Sequence, residues 1–171
     1  LSSESTRICF GDAVKLTDAG ATTTIQKDTG TTSLTPIGIF MGVRYTDLST
    51  GQTQFSQVWS GAAHTNGMVY VNDDPNLLFE IQADGAVNND DLAANCAVVQ
   101  GTSNATLGIS RVSLDISTAA TTAALPIRIV DWKGGYDGDE YGTAYPIMLC
   151  KWNTGHQLGI GVVSGAAPSA A

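Results

Sequence analysis

The chain reads as a series of short strands separated by turn residues, and in several of them apolar and polar positions alternate with a period of two. The longest run is Ile37–Tyr45, where Ile37, Ile39, Met41, Val43 and Tyr45 fall on one face of an extended strand. Gly38 and Gly42 fall on the other face, which implies either close approach of another backbone or a β-bulge. Ala13–Leu16 and Thr22–Gln26 read as strands, with Asp18-Ala19-Gly20 turning between them and Asp28-Thr29-Gly30 turning after them. Ser49-Thr50-Gly51 then directs the chain toward Phe55, Val58 and Trp59. Asn66-Gly67 predicts a two-residue hairpin turn, because a type I′ turn needs positive φ at both central residues, and Met68–Val71 follows as a strand.

Asp73-Asp74-Pro75-Asn76 places Asp and Pro where a type I turn uses them. The strand expected next is Leu77–Gln82, in which Phe79 and Ile81 alternate with Glu80 and Gln82. The competing reading is a helix capped by Asp74 and starting at Pro75. Asp84–Asn104 is the least regular stretch, with a short helical turn expected within Asp90–Ala97. Ser110–Ile116, Leu125–Trp132 and Tyr145–Trp152 complete the strands, Ala119–Ala124 connects the first two, and Pro126 suits a strand start or an edge. The pattern predicts an all-β single domain of short twisted antiparallel strands, sandwich- or barrel-like, with long loops. Its expected limits are a flexible segment 1–8, the β domain 9–163 and a frayed Gly/Ala/Ser tail 164–171.

Composition narrows the function. With 171 residues the chain has the length of one domain, and 43% hydrophobic residues exclude disorder. Only 14% of residues are charged and the net charge is −8, with no cluster of Lys and Arg. A nucleic-acid partner is therefore not expected, since phosphate neutralisation needs a basic patch. No run approaches the ~18 apolar residues of a membrane span, so no membrane partner is expected either. Leu1–Ser5 has neither the charged start nor the apolar core of a signal peptide. Cys9, Cys96 and Cys150 form no C-x-x-C pair and are odd in number, which favours buried reduced thiols; a disulfide between two of them is the alternative.

No motif predicts catalysis. A Gly-x-Ser-x-Gly elbow and a phosphate-binding loop are both missing, and Gly159-Ile160-Gly161 lacks the third glycine of a dinucleotide fingerprint. His64 and His156 are too few for a zinc site. Asp137, Asp139 and Glu140 stand in a glycine-rich loop and are calcium candidates, but they lack a complete ligand spacing, so the reading preferred is a solvated acidic loop and no metal is expected. Asp73 and Asp74 read as turn chemistry. Trp59, Trp132 and Trp152 read as core anchors, with a sugar-binding cleft or an interface hot spot as the other uses of such residues. Asn104-Ala105-Thr106 is a glycosylation sequon, which matters only in a secreted eukaryotic setting. No catalytic residue and no cofactor is expected.

Several segments recur together in one known setting. They are Phe10–Val14, Ile37–Val43, Val71–Gln82, Leu125–Val130, and Ala144-Tyr145-Pro146 before Lys151-Trp152-Asn153. In this order they resemble the head decoration, or cement, proteins of tailed bacteriophages, with Asp73-Asp74-Pro75-Asn76 through Phe79-Glu80-Ile81-Gln82 the most specific block. The resemblance extends from Cys9 to Gln157. It implies a structural virion protein without enzymatic activity, bound to the major capsid protein on the outer capsid surface and self-associated as a dimer or trimer. It also implies synthesis in a bacterial cytoplasm, where free cysteines are ordinary. The alternative from another class is a tail-fibre or adhesin-like β domain that binds a host surface glycan.

Overall fold

Strands form wherever the two-residue alternation is strong. A computed structural model describes residues 4–18, 23–61, 64–104, 106–134 and 141–158. Over these residues lie β1 (Ile8–Cys9), β2 (Ala13–Asp18), β3 (Thr23–Lys27), β4 (Gly38–Asp47), β5 (Thr53–Ser56) and β6 (Val58–Trp59). They are followed by β7 (His64–Asn72), β8 (Phe79–Gln82), β9 (Asn95–Gln100), β10 (Val112–Ala120), β11 (Ile127–Trp132) and β12 (Ile147–Trp152). The described residues contain no α-helix, only a 3-10 turn at Asn89–Asp91. The protein is all-β, with three antiparallel sheets that do not close into a barrel.

One sheet has the order β10-β9-β11-β12-β8. A second is built around β4, which pairs with β7 along one edge, and with β2 and then β5 along the other. β3 extends that sheet beyond β2, while β1 and β6 form a two-stranded ribbon. One apolar cluster joins the first sheet to Ala13, Leu34 and Ile39. The other gathers Ile8, Val14, Ile37, Phe40, Val43 and Trp59 between the β4 sheet and the ribbon.

The strand β4 corrects the expected single face. Phe40 is fully buried while Met41 is exposed, and Ile39 packs with the opposite cluster from Phe40 and Val43. The cause is a bulge: pairing with β7 slips between Phe40↔Val71 and Gly42↔Tyr70, leaving Met41 as the extra residue. The two readings of the glycines are each realised once. Gly42 sits at the bulge with φ of 149°, and a Cβ on Gly38 would lie 2.1 Å from the Asn72 carbonyl oxygen.

Asn66-Gly67 is also corrected, from hairpin turn to bulge within β7. Only Asn66 adopts positive φ, at 54°, so the pair cannot form a type I′ turn. Between Arg44↔Met68 and Thr46↔Thr65 it supplies the extra residue on β7, which restores the register that Met41 displaced. Two compensating bulges thus keep both ends of the longest strand pair aligned.

Three other expectations change. β9 was not anticipated as a strand; Asn95 to Val98 are buried in succession in an interior strand, so the alternation is lost. β10 extends to Ala120, into the stretch read as a connector. Within residues 1–8, read as a flexible segment, Glu4 and Ile8 are buried while residues 5–7 are exposed: Ile8 lies in β1 and the Trp59 indole donates to the Glu4 carbonyl at 2.8 Å. The Asp74 alternative resolves as a turn, with Leu77 N–H donating to Asp74 C=O and Asn76 N–H to Asp74 Oδ1. The tail 164–171 lies outside the described residues.

All three cysteines are free and buried. Burial pushes the Cys96 thiol up to about 12, and burial with Cys96 nearby raises Cys150 as well. Thiolate, the reactive form, is therefore nearly absent near neutral pH. Iodoacetamide is expected to leave Cys96 and Cys150 unmodified in the folded, unreduced protein, and to add three labels once the protein is unfolded in urea. A single label after unfolding would reveal a disulfide.

Candidate interaction surface

The outer face of β4, β5 and β7 carries large apolar side chains where a solvated sheet would carry Thr, Ser or charge. Strand register places Arg44 of β4 directly opposite Phe55 of β5 on one side and Met68 of β7 on the other. Gly42 lies opposite Tyr70, next to the bulged Met41. Cross-strand neighbours share a face, so these residues form one patch. Phe55 is 72% exposed, Met68 54%, Tyr70 47% and Met41 42%. The alternate residues Val43, Tyr45, Val69 and Val71 point the other way, into the cluster with Trp59.

The local sequence explains the shape. Gly42 has no side chain, and the hollow of about 260 Å³ over it is walled by Met41, Phe55 and Tyr70. Arg44 stands exposed in the apolar row and makes no ion pair among the described residues. Tyr, Phe, Met and Arg are the residues that protein interfaces enrich. Contiguous apolar exposure of this kind marks an interaction site on a folded protein.

The residues singled out from sequence lie elsewhere. Asp137, Asp139 and Glu140 lie outside the described residues. His64 stacks on Tyr45 with ring centroids 3.9 Å apart and shares a 2.8 Å hydrogen bond with Ser60 Oγ. His156 is buried 6.0 Å from the Trp152 ring, in a separate environment. Among the described residues no three His, Cys, Asp or Glu side chains are grouped to hold a metal ion. Trp59 and Trp152 are core residues, while Trp132 packs half-buried at the edge of its cluster, edge-on to Tyr141.

A concavity of about 1070 Å³ opens between β8 and the start of β10, where Ala83, just past β8, bridges to Leu114. Phe79, Ile81 and Val112 line it with Leu34 and Trp152. Three of its polar side chains are engaged: Ser110 Oγ donates to Asp12, Gln82 Nε2 to the Tyr145 carbonyl, and Glu80 pairs with Lys133 at 3.1 Å. The exposed patch was missed in sequence because the bulge moves Met41 from the expected inner face to the outer one. Its available signal was the row Arg44, Phe55, Met68 and Tyr70 at outward positions.

Compared with protein-family models, with curated proteins and with solved structures, the chain matches none.

Proposed function

We propose that this protein is a capsid decoration protein: it binds the major capsid protein of a tailed bacteriophage on the outer shell and bridges neighbouring subunits. The role is structural rather than enzymatic. The observation that carries the reading is the uncovered patch of Met41, Phe55, Met68 and Tyr70 around Arg44. The similarity of the Asp73–Gln82 block and its companion segments to cement proteins supplies the partner.

Energetics suit the role. A specific interface buries about 800 Å² per partner, and one such contact of micromolar strength corresponds to about −8 kcal/mol. A dimer or trimer touching several capsid subunits gains about 10²- to 10⁴-fold in avidity without new contacts. Modest interfaces therefore resist internal pressure when they act together. Expansion of the shell fixes the spacing that such multivalent binding requires, so mature shells are the preferred partner.

Co-sedimentation with expanded and precursor shells tests this. The wild-type protein is expected to bind expanded shells strongly and compact precursors weakly. Phe55→Ser should weaken shell binding by about 30-fold, the effect of removing an interface anchor worth about 2 kcal/mol. Its folding stability should stay within about 0.5 kcal/mol, because Phe55 is a surface residue. Unchanged binding by Phe55→Ser would remove this patch from the interface. Failure to bind any shell, with binding to host surface glycan, would replace the reading with the tail-fibre one.

A further inference from the structure

The strand β7 is an edge. It pairs with β4 on one side, and among the described residues nothing pairs with the other. It is nine residues long and contains no Pro, Lys, Arg, Asp or Glu. Exposed edges are normally kept short or carry charge or Pro, because their free backbone groups recruit other strands. The remaining edges of the two larger sheets follow that rule. β5 and β8 have four residues each, β3 ends on Lys27, and β10 carries Asp115. In β7 only the bulge at Asn66-Gly67 intervenes, and it leaves 68–72 regular.

The direction of its backbone groups follows from β4. Phe40 N–H donates to the Asp12 carbonyl, and the Phe40 carbonyl accepts from Gly11 N–H, each at 2.9 Å. Both groups therefore point away from β7, which makes Phe40 and Val71 a non-hydrogen-bonded pair. In such a pair the N–H and C=O groups of both residues point away from the opposing strand. Val71 accordingly turns its backbone groups to the free edge, and alternation along β7 turns those of Val69 the same way. The Val69 and Val71 side chains lie half-buried at the rim of the Trp59 cluster, while Met68 and Tyr70 stand exposed on the outer face.

We propose that a second copy of this chain pairs its own β7 with this edge, antiparallel, about a two-fold axis at Tyr70. Val69-Tyr70-Val71 reads the same in both directions, as a self-complementary two-fold seam requires. With Tyr70 opposite Tyr70 of the partner subunit, Val69 opposes Val71 of the partner subunit, and the reverse pair forms by symmetry. Those are the residues whose backbone groups are free, so each pair exchanges both of its N–H···O=C bonds. The seam is apolar on both faces. Valines meet over the inner cluster and tyrosines meet outside, the β-branched and aromatic cross-strand pairs that stabilise sheets. Charge also selects this edge. A net charge of −8 makes copies repel, but β7 brings no charge, and the register sets Asp73 and Asp74 toward Gly67 and Asn66 of the partner subunit, away from each other's acids. The β4 sheet then runs through the dimer, and the outer patches of two copies join. This pairing needs no shell, so it stands or falls apart from the decoration reading.

The test uses cysteine variants of the whole chain, because Cys9, Cys96 and Cys150 are buried and do not compete. In a non-hydrogen-bonded pair the Cα atoms lie about 4.5 Å apart, within disulfide range. Tyr70→Cys is therefore expected to cross-link two chains under mild oxidation. Met68→Cys is similarly exposed on the same face, but the axis keeps its two copies about 13 Å apart, beyond that range, so it should not cross-link. Sedimentation should give the wild-type chain twice its mass of 17.7 kDa. Tyr70→Lys, which sets like charges face to face at the axis, should weaken dimerisation by about tenfold or more. Phe55→Ser, on β5, should dimerise as the wild type does, so loss of the dimer and loss of shell binding are read separately. A wild-type mass of one chain or three at about 100 µM, equal cross-linking of the two cysteine variants, or a dimer untouched by Tyr70→Lys would overturn the proposal.

Discussion

Trp59→Ala is expected to destabilise the protein by about 3–5 kcal/mol, the usual loss for truncating a fully buried large aromatic residue. Trp59 has no exposed surface. It meets Tyr45 edge-on at 6.1 Å and His64 at 5.6 Å, and its indole N–H holds the Glu4 carbonyl. One side chain thus joins the ribbon, the β4 sheet and residues 4–8. At about 2–4 °C per kcal/mol for a domain of this size, the melting temperature should fall by about 6–20 °C. Trp59→Phe retains most of the packing and should cost about half as much or less. Urea unfolding of both variants checks the order; a Trp59→Ala loss below about 1 kcal/mol would contradict the assigned packing.

Asp12→Ala should be comparably damaging for an electrostatic reason. Asp12 is fully buried, and Lys27 Nζ lies 3.0 Å from its carboxylate. The carboxylate also accepts from Cys9 N–H at 2.8 Å and from Ser110 Oγ at 2.6 Å. These contacts fasten the β1–β2 corner to β3 and to the segment before β10. Removing one partner of a buried pair strands the other charge, which costs about 3–5 kcal/mol. The Lys27 side chain is itself only 8% exposed, so water cannot reach it freely. Asp12→Ala/Lys27→Met should be less destabilised than Asp12→Ala alone, because no unpaired charge remains. A double variant as unstable as the sum of the single ones would show that the pair is not coupled.

The strands that face solvent on one side were readable because alternation reports burial on the other. β8, β10 and β11 overlap runs in which apolar and polar residues alternate, while β2, β3 and β12 were marked off by the turn residues beside them. β9 escaped because an interior strand buried on both faces has no alternation to report. The faces of β4 escaped for a different reason. A bulge is a property of two paired strands, and neither Met41-Gly42 nor Asn66-Gly67 states alone which partner residue it will oppose. Asn66 was recognised as a positive-φ position, but that conformation serves a turn and a bulge equally well.

The two surface features depend on the same pairing. Arg44, Phe55 and Met68 form a row, and Val69 and Val71 turn their backbone groups to a free edge, only once register is set. Asp12 looks like any of the chain's acidic residues until folding places Lys27 beside it. Side-chain chemistry was visible in the sequence; the neighbours that give it meaning came from strand pairing.

In the proposed function, many copies sit on a phage shell and hold it through the β4–β5–β7 face. An image reconstruction of the intact virion tests it most directly. Density for this domain is expected to repeat over the outer capsid surface, with Phe55, Met68 and Tyr70 turned toward the major capsid protein. Density confined to the tail, or decorating copies with that face turned to solvent, would contradict it.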